Sequence, residues 1–158
     1  MLTVVVATPG SPAADEIVRT YMHEVASRYH GRPATAAELD QALRDEPYAD
    51  LCDPTGVFLV ALQDGAPVAC AGARLGADTA ELTKVFTVPA ARGTGLARRV
   101  LAALEHLFVE RGVTTVRLDT RSDLVEACAL YESVGYRRVE AFNDEPYSDR
   151  WYAKTLAR

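Results

Sequence analysis

The middle of the chain alternates between strand and helix patterns, and this alternation limits the fold more than any other feature. A strand over Thr79–Val88 is stopped by Pro89, and a long amphipathic helix then covers Gly93–Arg111. A second strand follows over Val113–Thr120. Two strands joined by a helix of this length lie parallel and side by side in one sheet. The chain therefore needs a sheet with at least one parallel pair.

The segments around this unit predict antiparallel strands. Asp64-Gly65 is a strong hairpin signal between two apolar runs. The complete set of further strands is predicted over Leu2–Thr8, Val57–Gln63, Pro67–Leu75, Tyr136–Glu140 and Arg150–Thr155. The sheet is therefore expected to be mixed and mostly antiparallel.

Three further helices are predicted from apolar spacing and from end signals. They cover Ala13–Tyr29, Thr35–Arg44 and Leu124–Val134. Thr35 and Glu38 form a capping-box pattern, and Gly135 follows the last helix where a left-handed residue is favoured. The length suits one domain, so we predict a single α/β (α+β) domain over residues 1–158.

Charge and hydropathy argue against two classes of partner. The net charge is −5, whereas nucleic-acid binders need a basic face to displace counterions. No run approaches the roughly 20 apolar residues of a membrane span, and no signal-peptide pattern opens the chain. We therefore expect no nucleic acid, no membrane and a cytoplasmic location.

The metal-ligating residue types are too scattered to predict a metal site. Cys52, Cys70 and Cys128 are odd in number and form no CxxC pair, which is typical of small buried residues in a reducing compartment. His23 and His30 share one helix face, but no third ligand accompanies them.

A glycine-rich turn opens the long central helix. Gly93 and Gly95 would let a phosphate approach the backbone, and helix N-termini carry unpaired N–H groups and partial positive charge. Arg92 and Arg98 add positive charge. From the glycines alone, a helix start with surface arginines and no ligand explains the pattern equally well.

Three phosphate-binding interpretations compete at this turn. A Walker loop would need Gly-Lys-Ser/Thr, which is absent. A dinucleotide fold could use Asp119 for a ribose, but Pro89–Arg92 separates the strand from Gly93, and Arg98 occupies the third glycine position. The pyrophosphate of an acyl-CoA is the third candidate.

Two motifs resemble those of the GNAT acyltransferase superfamily. Arg92-Gly-Thr-Gly-Leu-Ala97 is similar to its coenzyme A loop, and Leu130-Tyr131 followed by Gly135-Tyr136 is similar to its second hallmark. The resemblance covers Val57–Tyr136 and implies an N-acetyltransferase that uses acetyl-CoA as co-substrate, without metal. It implies an amine of a small molecule or peptide as acceptor, and it is compatible with a homodimer.

The resemblance also implies where the coenzyme binds. A bulge would splay Thr79–Val88 from Val113–Thr120, the pantetheine arm would pair with the freed backbone, and an N–H near Val88 would polarise the thioester carbonyl. The turn after this strand would hold the pyrophosphate. The implied coenzyme-binding residues are Phe86, Thr87, Val88, Arg92, Gly93, Thr94, Gly95, Leu96, Ala97, Arg98 and Ala127. The family's asparagine after the fifth strand has no counterpart in Asp119–Asp123.

Two residues are candidates for proton transfer. Tyr131 matches the family's general acid, which protonates the departing thiolate, although a helical tyrosine is by itself typical of a packed core. Glu81 matches the position of a catalytic glutamate and would act as base directly or through water. A solvent-facing strand glutamate is the alternative, and some relatives need no dedicated base.

The acceptor is expected to enter between the first helices and the last hairpin. Tyr21, Glu24, Tyr29 and Tyr147 are the candidate substrate-binding residues there. The segment Asn143–Trp151 contains carboxylates and aromatic rings that could hold a cation, or it is an ordinary polar hairpin loop. Because a fold does not guarantee chemistry, a non-catalytic acyl-CoA-binding sensor of the same fold remains the alternative function.

Overall fold

A seven-stranded mixed sheet forms the centre of the molecule. The computed structural model describes residues 1–157. The strands are β1 (Leu2–Val6), β2 (Gly56–Gln63), β3 (Ala66–Leu75), β4 (Thr79–Thr87), β5 (Thr115–Thr120), β6 (Arg137–Val139) and β7 (Arg150–Thr155). They lie in the order β1-β2-β3-β4-β5-β7-β6, and β4–β5 is the parallel pair within residues 1–157. The predicted mixed, mostly antiparallel sheet is confirmed.

Four helices flank the sheet. They are α1 (Pro12–His30), α2 (Ala36–Asp45), α3 (Leu96–Glu110) and α4 (Val125–Ser133), and a short 3₁₀ turn covers Pro89–Ala91. The capping box of Thr35 and Glu38 is present at the start of α2. The central helix α3 begins later than predicted, because Gly93 and Gly95 both adopt left-handed φ angles, of 80° and 79°.

Each face of the sheet buries its own apolar core. One core joins the sheet to α3 and α4 and contains Val100, Leu104, Phe108, Val116 and Tyr131 among others. The second joins the sheet to α1 and α2 and contains Ile17, Val18, Met22, Phe58 and Phe86 among others. The central strands are thus buried on both sides, which fixes their position where the sheet opens.

The sheet opens between β4 and β5. These strands pair over three residues, from Thr79↔Thr115 to Glu81↔Arg117, and beyond that β4 follows β3 while β5 follows β7. On β4 the register with β3 shifts by one residue before Phe86, and Lys84 there has a left-handed φ of 56°. An extra residue of this kind bends a strand away from its neighbour. The predicted bulge and splay are confirmed.

Gly56 occupies the most crowded glycine position of the sheet, where we expect a substitution to destabilise the fold. An added Cβ would lie 2.7 Å from the Ala73 carbonyl oxygen, 2.8 Å from that of Asp50 and 2.9 Å from Leu51 Cα. These are backbone atoms that cannot rotate away, so Gly56→Ala should lower the free energy of unfolding by about 3 kcal/mol. Urea titration followed by circular dichroism measures the loss.

Gly76→Ala is the matched control for this substitution. The nearest atom to an added Cβ is Thr79 Oγ1 at 2.7 Å, and this hydroxyl can rotate. The free energy of unfolding of Gly76→Ala should fall by less than about 1 kcal/mol, as is usual for surface substitutions that need only a small rearrangement. Equal losses in the two variants would contradict the crowding argument.

Candidate active site

The gap between β4 and β5 leads into a cleft of about 1220 Å³. Its walls come from α1, the end of α2, β4, the start of α3, the end of β5, α4 and the loop between β6 and β7. Pockets for a single drug-sized ligand usually measure about 300–1,000 Å³. The cleft therefore has room for two reactants that meet in the gap.

The start of α3 offers unpaired backbone donors to this cleft. Gly95 is the N-cap, and the N–H of Arg99 makes the first helical bond, to the Gly95 carbonyl at 3.1 Å. The N–H groups of Leu96–Arg98 thus have no acceptor within the helix. Gly93, Gly95 and Leu96–Arg98 all line the cleft. Backbone donors at a positive helix terminus form a site for an anion.

The Arg92 side chain ties the turn before α3 to its neighbours. Its Nε donates to the Thr87 carbonyl at 2.9 Å, and its guanidinium meets both carboxylate oxygens of Glu24 at 2.9 and 3.0 Å. It also lies 5.7 Å from the Phe86 ring centroid. These bonds use Nε and Nη2 and join α1, β4 and the turn, whereas Nη1 makes no hydrogen bond within residues 1–157, so a phosphate contact from this side chain stays a prediction. Arg98 remains as a cleft-lining cation.

The backbone N–H of Val88 itself is bound to β3, so the N–H expected near Val88 to polarise a carbonyl belongs to another residue. That N–H donates to the Val68 carbonyl at 2.9 Å. Along a paired strand, the N–H and C=O groups of successive residues point alternately to the two sides. The backbone N–H and C=O of Phe86 therefore also point to β3, whereas those of Val85 and Thr87 point to the gap. The sequence motif identified the strand but not which of its residues face the gap. Of the expected coenzyme residues, Val88 and Thr94 do not line the cleft.

Tyr131 lies in a cluster of three tyrosines behind the gap. It is 6 % exposed, lines the cleft, and its ring centroid lies 5.8 Å from Tyr136 and 5.9 Å from Tyr152. Tyr136 donates to Glu105 at 3.2 Å and Tyr152 to Glu132 at 2.6 Å. Within residues 1–157 the Tyr131 hydroxyl has no such partner. Burial raises the pKa of Tyr131 above its ordinary value, so the hydroxyl keeps its proton.

Ala127 lies one helical turn before Tyr131. It is half-buried and lines the cleft, so this part of the wall carries only a methyl group.

Glu81 occupies the point where the two central strands part. It is the last residue of β4 paired with β5, and its carboxylate lies 3.6 Å from the Arg117 guanidinium. Arg117 in turn lies over the Phe142 ring, 4.4 Å from its centroid. Glu81 lines the cleft and is partly exposed. A carboxylate in this position can take a proton from a group bound in the gap.

The loop between β6 and β7 is bound to the end of β5. Asp119 accepts hydrogen bonds from Asn143 at 2.9 Å and from Ser148 at 2.6 Å. Asn143 accepts another from the Trp151 indole at 2.9 Å. The pKa of Glu145 in this loop is raised, first by burial and then by the negative charges of Asp119, Glu46 and Glu81. Several carboxylates are therefore close enough to influence one another across this part of the cleft.

The four expected acceptor residues are only partly brought together. Tyr21 packs against Phe86 with ring centroids 5.2 Å apart, and it lines the cleft together with Glu24 and Tyr147. Tyr29 lies outside the cleft wall but meets the Tyr147 ring edge-on at 5.8 Å. Burial raises the pKa of Tyr21, so this hydroxyl also stays protonated.

Sequence reasoning did not single out Glu46 and Lys84, two of the ionisable residues that line the cleft. Lys84 had a detectable signal, because its charge interrupts the alternating apolar positions of Leu82 and Phe86. The bulge places those two side chains in the cores on opposite faces of the sheet. Glu46 lies outside regular elements and had no signal. Glu145, which also lines the cleft, lies in the Asn143–Trp151 segment that was expected to hold a cation.

Residues 1–157 contain neither a cluster of side chains suited to a metal ion nor a helix that could cross a membrane. No group of three or more His, Cys, Asp or Glu side chains is arranged to hold a metal ion. In the same residues, every helix is too short or too polar to cross a membrane.

Comparison with known proteins identifies the family. The sequence model of the acetyltransferase (GNAT) family matches residues 19–136. The uncharacterised N-acetyltransferase YjgM of Escherichia coli (strain K12) is 36% identical over 63 residues, which are 40% of this chain and 38% of that protein. The match thus spans well under two thirds of the relative's length.

Solved structures extend the likeness over the full fold. A protein of Klebsiella pneumoniae, described as a candidate acyl-CoA N-acyltransferase, is 25% identical with a TM-score of 0.76 over 99% of both chains. The PaiA N-acetyltransferase of Thermoplasma acidophilum, solved with coenzyme A, has a TM-score of 0.76 over 98% of this chain and 99% of its own, at 14% identity, which is a likeness of fold alone. Because the family model matches more than half of the sequence, the chain belongs to the acetyltransferase (GNAT) family.

Proposed function

We propose that this protein transfers the acetyl group of acetyl-CoA to a primary amine by direct attack, with Tyr131 as general acid. One observation carries the proposal: the cleft at the gap between β4 and β5 is lined both by the unpaired N–H groups at the start of α3 and by Tyr131, whose hydroxyl no residue of 1–157 engages. The coenzyme A bound to the PaiA fold neighbour supports this choice of co-substrate.

The residues at the start of α3 fit a diphosphate. Gly93 and Gly95 have no atom within 4 Å of an added Cβ, so the bare backbone there faces open space. The N–H groups of Leu96–Arg98 would bind the phosphate oxygens, and Arg98 would add a positive charge. Arg92 would act indirectly, by holding the turn against Thr87 and Glu24.

The free edge of β4 would bind the arm of the coenzyme. Val85 and Thr87 would donate and accept backbone hydrogen bonds in the manner of an added strand. An N–H on this edge would also hold the thioester carbonyl oxygen as it gains negative charge. When bound, acetyl-CoA supplies an activated acetyl group and a thiolate leaving group.

Tyr131 would then give its proton to the departing sulfur. A pKa raised by burial keeps the hydroxyl protonated throughout the neutral and mildly alkaline range, so it acts as a donor and not as a base. Ala127, one turn earlier and half-buried, leaves space beside it for the coenzyme arm. Glu81, at the end of the paired region, would accept the proton of the attacking ammonium, directly or through water.

Tyr131→Phe tests the general-acid role. We expect turnover to fall by roughly 100-fold or more, because the thiolate would leave unprotonated. The dissociation constant for coenzyme A should change less than about twofold, since no binding contact is removed. Thiol release from acetyl-CoA with a panel of amines measures the first quantity, and titration calorimetry the second.

Tyr136→Phe is the control in the same tyrosine cluster. Its hydroxyl is already bound to Glu105, so its loss should leave turnover within a few-fold of the wild type. Equal turnover in wild type and Tyr131→Phe would remove Tyr131 from the mechanism. Coenzyme binding by the wild type without thiol release from any amine would favour the sensor function.

Gly95→Asp tests the diphosphate site. An aspartate there would place a carboxylate against the phosphate oxygens, and we expect coenzyme binding to be lost. Gly112→Asp is the matched control, because Gly112 has a φ of 81° and equally open surroundings but lies beyond the other end of α3. Its coenzyme affinity should equal that of the wild type. Normal binding by Gly95→Asp would show that the diphosphate lies elsewhere.

A further inference from the structure

Lys84 is a buried cation that the acetyl-transfer mechanism does not use. Its side chain is only 2 % exposed, although it lines the cleft. It lies at the β4 bulge with a left-handed φ of 56°, a conformation that residues with a side chain rarely adopt. Burial of a charge and backbone strain are two separate costs at one residue, and such costs concentrate where a side chain has a function.

The protein partners of Lys84 leave its ammonium incompletely bound. The Glu46 carboxylate lies 3.4 Å from its Nζ and is itself 51 % exposed. An ammonium has three N–H donors, and no other acceptor within residues 1–157 reaches this one. Burial lowers the pKa of Lys84 in spite of Glu46, with a smaller effect in the same direction from Arg74. Two donors of this buried charge thus have no protein acceptor within residues 1–157, at a residue that lines the cleft.

The neighbouring cation Arg74 is 44 % exposed by contrast, so those of its donors that no protein group binds can reach water. It donates to Asp50 at 2.7 Å and 3.3 Å and to the Pro47 carbonyl at 3.3 Å. This fixed pair also lines the cleft. Of these two cations, Lys84 is therefore the one whose spare donors are shielded from bulk water.

Lys84 lies in the part of the cleft assigned to the acceptor. Its side chain is on the sheet face covered by α1 and α2, beside Glu46, and Tyr21 packs on Phe86 two residues farther along β4. Glu81 and Glu145 line the same part of the cleft. Carboxylates suit the ammonium of an acceptor, but the Lys84 ammonium would repel it. An acceptor that satisfies both kinds of charge carries an anionic group as well as an amine.

We propose that Lys84 determines acceptor specificity by binding the carboxylate of an acceptor that is an amino acid, while its amine lies towards Glu81 and the thioester. This inference rests on the proposed acetyl transfer and names the acceptor class. A single ammonium beside Glu46 matches one negative charge, and the surrounding carboxylates would repel a doubly charged phosphate group. The two free N–H donors of Lys84 match the two oxygens of a carboxylate.

Matched pairs of acceptors test the proposal. Each pair consists of an amino acid and the amine that remains when its carboxylate is removed. Acetyl transfer is measured as the release of the coenzyme A thiol. We expect the wild type to show a kcat/KM at least about tenfold higher for the amino acid in one or more pairs. Lys84→Met should abolish this preference by raising KM for the amino acid roughly 10- to 100-fold, the usual range for a hydrogen bond to a charged group. Transfer to the carboxylate-free amine should not fall, because the variant removes a charge that repels its ammonium.

Two controls separate recognition from folding. Arg74→Met removes a cation from the same wall whose donors serve Asp50 and Pro47, and it should leave the preference within each pair intact. Lys84→Met should unfold at no lower urea concentration than the wild type, because it replaces a buried charge by an apolar side chain of similar length. If either variant fails to fold, the acceptor pairs assayed with the wild-type protein still test the proposal.

The outcomes distinguish this inference from the proposed function. Faster transfer to the carboxylate-free amine in every pair would overturn the role of Lys84 and leave acetyl transfer standing. An equal loss for both members of a pair in Lys84→Met would show a structural role only, which also overturns the proposal. Absence of thiol release from all acceptors with the wild type would overturn acetyl transfer, and the inference with it.

Discussion

The early end of the β4–β5 pairing is the constraint on which the rest of the structure depends. Three paired residues hold the strands together, and the bulge at Lys84 then lets β4 follow β3 while β5 follows β7. Backbone groups at an open strand edge need partners, and an unpaired edge inside a molecule is costly unless something binds there. The gap thereby leaves an edge of β4 open to the cleft whose wall also contains the start of α3.

Most charges around the cleft serve to hold its walls in place. Arg92 joins Glu24 on α1 to β4, Arg74 joins β3 to Asp50 in the segment after α2, and the Asp119 carboxylate holds the β6–β7 loop through Asn143 and Ser148. Exposed ion pairs contribute little stability individually, but these ones connect separate elements and so set the shape of the cleft. Among the groups left without full partners, the Tyr131 hydroxyl and the Lys84 ammonium are the two to which we assign proton transfer and acceptor recognition.

The elements of the fold could be predicted from the sequence because their signals are local. The capping box at Thr35, the Asp64-Gly65 hairpin and the strand–helix–strand unit each depend on a few adjacent residues, and all three are present. The orientation of backbone groups on β4 could not be predicted, because the contact of Val88 with Val68 and the bulge are set by the neighbouring strand. The partners of Arg92 likewise lie far away in sequence, so its role as a tie between elements is visible only in the folded chain.

The Arg92–Glu24 pair has a consequence for how this scaffold can change its substrate. Glu24 is on α1, where we place the acceptor, while Arg92 lies in the turn that precedes α3, where we place the diphosphate. Under that assignment, a change of the acid at position 24 removes one of the two ties of Arg92 and leaves the hydrogen bond to Thr87. Evolution of acceptor choice at this position is therefore coupled to the geometry of the turn on the opposite side of the cleft.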